Sequence, residues 1–423
     1  MTERQLTSDP LPKNLDNNIN FSPDGRFVVF DCRDKGGINT NRRLGVVEIA
    51  TGKVTIFYTQ KPPSLGVGAA SFLNANSVVA IHALTSGLTY DFTVRGGMII
   101  ATDGSGAIRW LDSRDVVPPF TPGALRGGTH KHEPDASGVW IGFTYNDHIM
   151  KGRGSDLRNV GVSRRGIRVA VPDEPTGANF TGESFSVLLT ACVDNPKPGS
   201  DEYRRAEGDC WVGRHGYPSS HGPVRARAFR GTVLVREDDE DRPYGEVFVV
   251  DVPDDITVAG PAGPLQGTER THPSPPRGAR VRRLTRTAEN ADRNLRGVSG
   301  HLRADGAGRW VAFIGKAAIH GSVSSQVFVV SPSSGEIRRL SSVPEGVTGD
   351  PRFSPDGAYV AVAGSDGCVY AVSAGEADWG RARRVAPVGP AMPHNIVISP
   401  DSGVIAYNRT VDGVQQVFTC EAR

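Results

Sequence analysis

Two imidazoles stand two residues apart in Thr129-His130-Lys131-His132. On an extended strand residues i and i+2 share a face, so the pair is pre-set to grip one divalent ion, Mn, Zn, Fe or Ni. His394 is the third expected ligand, with His301 and Asp350 as further candidates on other strands. The alternative is a polar channel in which the histidines bond one another and water. Upstream, Arg126-Gly127-Gly128 sets an arginine fork suited to carboxylate or phosphate beside backbone that could approach a ligand. A plain turn is the other explanation of those glycines. Arg303, two residues after His301, is expected to share its side and supply a second cation. The catalytic candidates are therefore His301, His394, Arg126, Arg303, His148, Asp147 and Tyr145. A histidine would move a proton and an arginine would hold an anion, with Asp147 and Tyr145 as acid/base partners or strand-end caps. No Ser-His-Asp spacing, Walker loop or nucleophile elbow is present, and Arg95-Gly96-Gly97 is too short for a phosphate loop.

The elements that must position these groups are short strands between tight turns. Phe21-Ser22-Pro23-Asp24-Gly25, Phe353-Ser354-Pro355-Asp356-Gly357 and Ile398-Ser399-Pro400-Asp401-Ser402-Gly403 repeat one corner between two apolar runs. In such a corner Pro fixes φ, Asp caps the turn and Gly takes positive φ. Recurrence of one hairpin along 423 residues implies stacked β-units, hence an all-β propeller. Seven blades are expected at about 17–60, 65–112, 127–175, 178–286, 298–342, 347–387 and 390–423, six being the alternative count. The fourth is read as enlarged, opening at Ser184–Leu189, with insertions at 193–223 and 254–278. The last blade has three strands of its own, so Arg4-Gln5-Leu6-Thr7, within residues 3–8, is expected to close the ring as its outer strand.

In a propeller the start of each innermost strand and the end of the next open on one face. That rule brings His130, His132, His301 and His394, with His82, His148 and His320, to a single mouth, seven of ten histidines. The net charge of +2 provides no global field for nucleic acid or an anionic membrane. Alternating arginines in Arg225–Arg230 and Arg280–Arg283 read as solvated sheet faces. Five scattered cysteines without CxxC spacing read as reduced thiols, and no apolar leader or membrane-length run appears, so the cytoplasm is expected.

The Ser-Pro-Asp-Gly corners resemble the TolB-type repeat along essentially the whole chain. Pro119–His132, Phe143–His148, Leu157–Val162, Pro198–Glu202 and Pro275–Gly278 followed by Arg282–Thr285 are similar to the YidR-like family, uncharacterised bacterial propellers. More distantly, Thr129-His130-Lys131-His132 looks like the channel pair of oligogalacturonate lyases. That resemblance implies a manganese-type ion and a further histidine and arginine for β-elimination from a uronate. His301 or His394, with Arg126 or Arg303, would fill those places. The expected function is a metal-dependent lyase- or isomerase-like enzyme acting on a small polar, anionic or sugar-derived molecule. The alternative is a non-catalytic scaffold whose surface loops bind a protein partner or small ligand.

Overall fold

The central strand of each blade is buried on both faces, and its sequence shows how. In Tyr359–Gly364, Val360 and Val362 pack with Ala312, Ile314, Val327 and Val329, whereas Tyr359, Ala361 and Ala363 pack with Ile405, Tyr407 and Phe418. Period-two alternation thus sends neighbouring residues into two different inter-sheet cores, so the run is apolar throughout. Each such side chain contributes roughly 1.5–3 kcal/mol by leaving water.

A computed structural model describes residues 2–34, 37–289, 295–319 and 321–422; His320 lies outside the described residues. It is all-β, a seven-bladed propeller in which six sheets have four strands and one has three. The chain packs as two compact units. Unit one comprises Met1–Leu11, Asn195–Asp251 and Val281–Arg423; unit two comprises Pro12–Asp194 and Val252–Arg280. Among the described residues no helix is long and apolar enough to cross a membrane.

Unit two holds blades one to three. Blade one is Phe27–Asp31, Arg43–Glu48 and Val54–Thr59, and the segment before it makes isolated bridges from Asn14 to Asp31 and from Phe21 to Val28. Blade two is Val67–Asn74, Ser77–Ala83, Arg95–Ala101 and Ile108–Trp110. Blade three is Gly127–Pro134, Trp140–Asp147, Arg158–Val169 and Gly182–Leu188. Unit one holds the other four. Blade four is Ala206–Trp211, Ala226–Glu237, Glu240–Asp251 and Arg280–Arg283, its last strand beginning one residue before the unit boundary. Blade five is Arg296–Ala304, Val311–Ile319, Ser322–Val330 and Ile337–Arg339. Blade six is Val347–Phe353, Tyr359–Gly364, Val369–Ser373 and Ala382–Ala386. Blade seven is His394–Ile398, Val404–Val411 and Val414–Glu421, completed by Glu3–Gln5.

Two expectations are corrected here. Gly182–Leu188 closes blade three by pairing with Arg158–Val169, so the segment containing Ser184–Leu189 does not open blade four. The true opening strand, Ala206–Trp211, lies inside the stretch read as an insertion, because Glu207 and Asp209 make it look like a loop. Those carboxylates are paired: Asp209 with Arg227, and Glu207 with Arg230 at 2.6 Å. The arginines read as a solvated face are also misplaced by the sequence. Arg227 is fully buried over the Trp211 ring, and the Arg283 side chain is buried against Glu246 and Glu289.

The repeated corner works as its residues require. Ser22 donates to Asp24 at 2.6 Å and accepts from the Phe27 amide at 3.0 Å, while Gly25 has φ 73°. Ser354 and Asp356 repeat the arrangement with Gly357 at φ 72°, and Ser402 takes the left-handed place after Asp401 at φ 63°.

Glu3–Gln5 pairs antiparallel with Phe418–Cys420, the outer strand expected from the N-terminus. Its register is locked by charge: the Glu3 carboxylate accepts from Arg409 Nε at 2.8 Å and from the Tyr407 hydroxyl. Arg409 is fully buried and also donates to the carbonyls of Ala391 and Pro387 at 2.5 and 2.8 Å. Removing one partner of a buried pair costs about 3–5 kcal/mol. Glu3→Gln, and more so deletion of residues 2–9, should therefore lower the urea midpoint by a matching amount; an unchanged midpoint in Glu3→Gln refutes the latch.

Blade three begins under tight packing. A Cβ on Gly127 would lie 2.1 Å from the Asn146 carbonyl oxygen, and one on Gly128 would lie 2.1 Å from that of Phe92. Backbone, not a ligand, explains both glycines. Gly128→Ala should cost about 1–3 kcal/mol or more, the usual penalty of overpacking, read by chemical unfolding; full stability would mean that the two segments can separate.

Candidate functional site

A strand that kept strict alternation would present His130 and His132 on one face. The chain does not keep it. The innermost strands of blades two to seven each contain a residue with positive φ: Ala69 at 49°, Lys131 at 52°, Gly208 at 64°, Gly300 and Gly349 at 74°, and Asn395 at 52°. At each one the register slips against the next strand, leaving extra residues on the inner strand. Such a bulge re-aims the side chains that follow it.

In blade three the consequence is a parting of the two histidines. His132 is fully buried and its Nε2 meets Thr129 Oγ1 at 2.9 Å, with Asp112 Oδ2 3.7 Å away. Thr129 adjoins His130 on the strand and so lies on the opposite face; His132, bonded to Thr129, lies there too. Asp112 is occupied by Ser163 and Ser186 hydroxyls at 2.5 and 3.1 Å. His130 stays half-buried, and its Nδ1 sits 3.1 Å from Arg158 Nη2. A guanidinium can only donate, so Nδ1 accepts and the proton of the neutral ring is on Nε2. Burial first, then the charges of Arg95, Arg158, Lys131 and Arg33, hold this imidazole well below its ordinary pKa.

The two histidines of the expected metal pair therefore face apart. His130 has one nitrogen engaged by a cation and the other protonated, and His132 is turned away into a serine- and threonine-lined core. His394 belongs to unit one, its Nδ1 3.3 Å from the Met392 carbonyl. Among the described residues no three His, Cys, Asp or Glu side chains gather as ligands. This donor set does not fit a divalent ion.

Arg126, Tyr145 and Asp147 do come together, but in a closed structural network. Asp147 accepts from Arg126 Nε at 2.9 Å, from Tyr145 Oη at 3.0 Å and from the Met150 amide at 2.8 Å, capping the short helix His148–Lys151. The other Arg126 nitrogens donate to the Thr268 and Thr271 carbonyls at 2.5 and 2.6 Å, tying down the long segment expected as an insertion. Burial and the neighbouring Asp147 push the Tyr145 hydroxyl well above its usual pKa. His148 is exposed and meets Thr93 Oγ1 at 3.0 Å. His82 is buried against the Tyr58 hydroxyl at 2.8 Å, and burial lowers its pKa to about 4.

Unit one brings together a different pair. His301 follows Gly300 in blade five, and Asp350 follows Gly349 in blade six. His301 Nδ1 lies 2.6 Å from Asp350 Oδ2, the His301 amide donates to Oδ1 at 2.8 Å, and each side chain is 33% exposed. Burial raises the Asp350 pKa, but the His301 hydrogen bond and charge, with Arg303, outweigh it and leave the carboxyl well below its usual range. Arg303 donates to the Leu302 carbonyl at 2.5 Å and is largely buried. An ionised acid fixing one imidazole nitrogen, with a guanidinium two residues on, is competent for proton transfer near an anion. Sequence reasoning had Asp350 as a metal candidate and missed Arg158 altogether; Arg158 is the second residue of the Leu157–Val162 motif, the one signal that pointed to it.

Solved structures share this fold. An oligogalacturonate lyase from Vibrio parahaemolyticus superposes with a TM-score of 0.57 at 10% identity, covering 100% of this chain and 93% of its own. An oligogalacturonate lyase in complex with manganese gives 0.55 at 12% identity, covering 99% and 92%. A family model described as a protein of unknown function (DUF3748) matches residues 64–177. The uncharacterized protein YidR of Escherichia coli (strain K12) is 35% identical over 346 residues, 80% of this chain and 78% of that protein. At that identity over that extent, the chain belongs to the YidR family.

Proposed function

We propose that this protein is a lyase- or isomerase-like enzyme that moves a proton on a small polar, anionic or sugar-derived substrate, with His301 as base. The observation that carries this reading is the His301–Asp350 contact at 2.6 Å, with both side chains partly open. The ionised Asp350 accepts a hydrogen bond from Nδ1–H, which makes Nε2 the basic nitrogen, the one that would take a proton from carbon. Arg303 would neutralise the carboxylate of the substrate and the charge that develops on it. In a lyase, Nε2 removes the proton α to the carboxylate, the β carbon–oxygen bond breaks, and the proton passes to the departing oxygen. In an isomerase the imidazolium instead returns a proton to a neighbouring carbon. His394, also at the start of an inner strand in unit one, is the candidate acid. The fold shared with oligogalacturonate lyases makes uronates the first class to screen. A binding scaffold has no use for an oriented acid–base pair.

Both reactions break the α carbon–hydrogen bond and leave its proton on an imidazole that can exchange with solvent, so loss of the α-proton signal in D2O, followed by NMR on a panel of uronates, tests them together. His301→Gln should lower the rate about 10²–10⁴-fold, the usual worth of a positioned base. Asp350→Asn should slow it less and move the acid limb of the pH profile to lower pH, because the carboxylate stabilises the imidazolium. Exchange that persists unchanged in His301→Gln rejects the assignment.

The reading routes no step through a metal. Elemental analysis of untagged protein should find no stoichiometric Mn, Zn, Fe or Ni, and His130→Ala/His132→Ala should leave the metal content unchanged. One equivalent lost in that variant would restore the metal centre.

A further inference from the structure

Arg95 and Arg158 hold equivalent places: each is the first residue of the third strand of its blade, opposite Ala83 and Asn146 respectively. The Asp91–Arg95 segment is pressed onto the start of blade three, where the Phe92 carbonyl fills the space that a Gly128 side chain would need. His130 is two residues further on. Around it, Lys131 and Arg33 already have carboxylates: Asp16 lies 2.6 Å from Lys131 and 3.2 Å from Arg33, and Asp31 is 2.5 Å from Arg33. Arg95 has none. It is only 6% exposed, its Nη1 donates to the Tyr90 hydroxyl at 2.7 Å, its Nε has no hydrogen-bond partner, and among the described residues it forms no ion pair. A buried guanidinium without a counter-charge is costly unless something supplies one.

Arg95, Arg158 and the Nε2 of His130 are all donors here. Arg158 gives Nη2–H to His130 Nδ1 and to Thr144 Oγ1 at 2.8 Å, which leaves His130 with a donating Nε2–H that meets no partner among the described residues. His130, Arg158 and Tyr90 keep part of their surface open. Such a set repels cations and other donors and accepts an oxyanion.

We propose that Arg95, Arg158 and the Nε2–H of His130 form a binding site for a small oxyanion, a carboxylate or a phosphate, on unit two. The assignment does not depend on the His301 reading. The site supplies one uncompensated charge at Arg95 and planar N–H groups for two oxygens.

Calorimetric titration of the full chain with inorganic phosphate and with glucuronate, at ionic strength held constant with sodium chloride, tests it. Saturable binding of at least one is expected, and the tighter of the two identifies the anion class. Arg95→Gln should weaken it by at least about tenfold, or 1.4 kcal/mol, without altering the dissociation constant of any unrelated ion. Arg158→Lys keeps the charge but loses the fork, and should also weaken binding; it decides the matter if Arg95→Gln does not fold. No saturable binding of either anion, or wild-type affinity in a folded variant, overturns the site.

Discussion

The left-handed residue in the middle of the inner strands is the constraint on which the chemistry of this protein depends. A strand must alternate to stay in its sheet, yet a channel-lining strand needs to choose which side chains it shows. Slipping register at Ala69, Lys131, Gly208, Gly300, Gly349 and Asn395 separates the two demands. For Ala69, Lys131 and Asn395 the conformation costs about 1–2 kcal/mol each, offset by the cores on either side. At Gly300 and Gly349 it costs little, and there the next residues are His301 and Asp350. Two equivalent bulges on adjacent blades set an imidazole and a carboxylate 2.6 Å apart.

Arginine carries two kinds of work in the fold, told apart by partners and not by burial. Arg126, Arg227, Arg283 and Arg409 are buried and each is ion-paired, to Asp147, Asp209, Glu246 and Glu3 respectively. They fasten long-range pieces of chain: a loop in unit two, the opening strand of blade four, the N-terminus in blade seven. Arg95 is as deep as these but has only a phenol for company. A charge that the fold takes out of water without neutralising is better placed for a ligand than for architecture.

The corners and the blade count were legible because each is local, Pro-Asp-Gly dictating a turn and an apolar run a buried strand; the N-terminal outer strand, though it pairs with Phe418–Cys420, was legible because the last blade has only three strands of its own. The opening strand of blade four was illegible because its charges are neutralised by residues about twenty positions away, as Asp209 is by Arg227. The histidines were placed on the correct strands but aimed by a rule of strict alternation, and nothing in Thr-His-Lys-His announces that Lys131 turns left-handed. Arg126 looked available for a substrate because its three acceptors, Asp147, Thr268 and Thr271, are separated from it by up to 145 residues. Long-range partners, not residue type, decided every one of these cases.

The same logic sorts the histidines by role. Imidazole is a base, a donor or a packed ring according to what its first nitrogen meets. At His82 that partner is a phenol in a closed core, and burial leaves the ring neutral. At His132 it is a threonine hydroxyl, again enclosed. At His130 it is a guanidinium, which makes the free nitrogen a donor. At His301 it is an ionised carboxylate, which makes Nε2 the basic nitrogen and stabilises the ring once protonated. Proton abstraction needs an acceptor whose conjugate acid is supported, and that is the role proposed for His301. Anion binding needs the opposite polarity, and His130 meets that one.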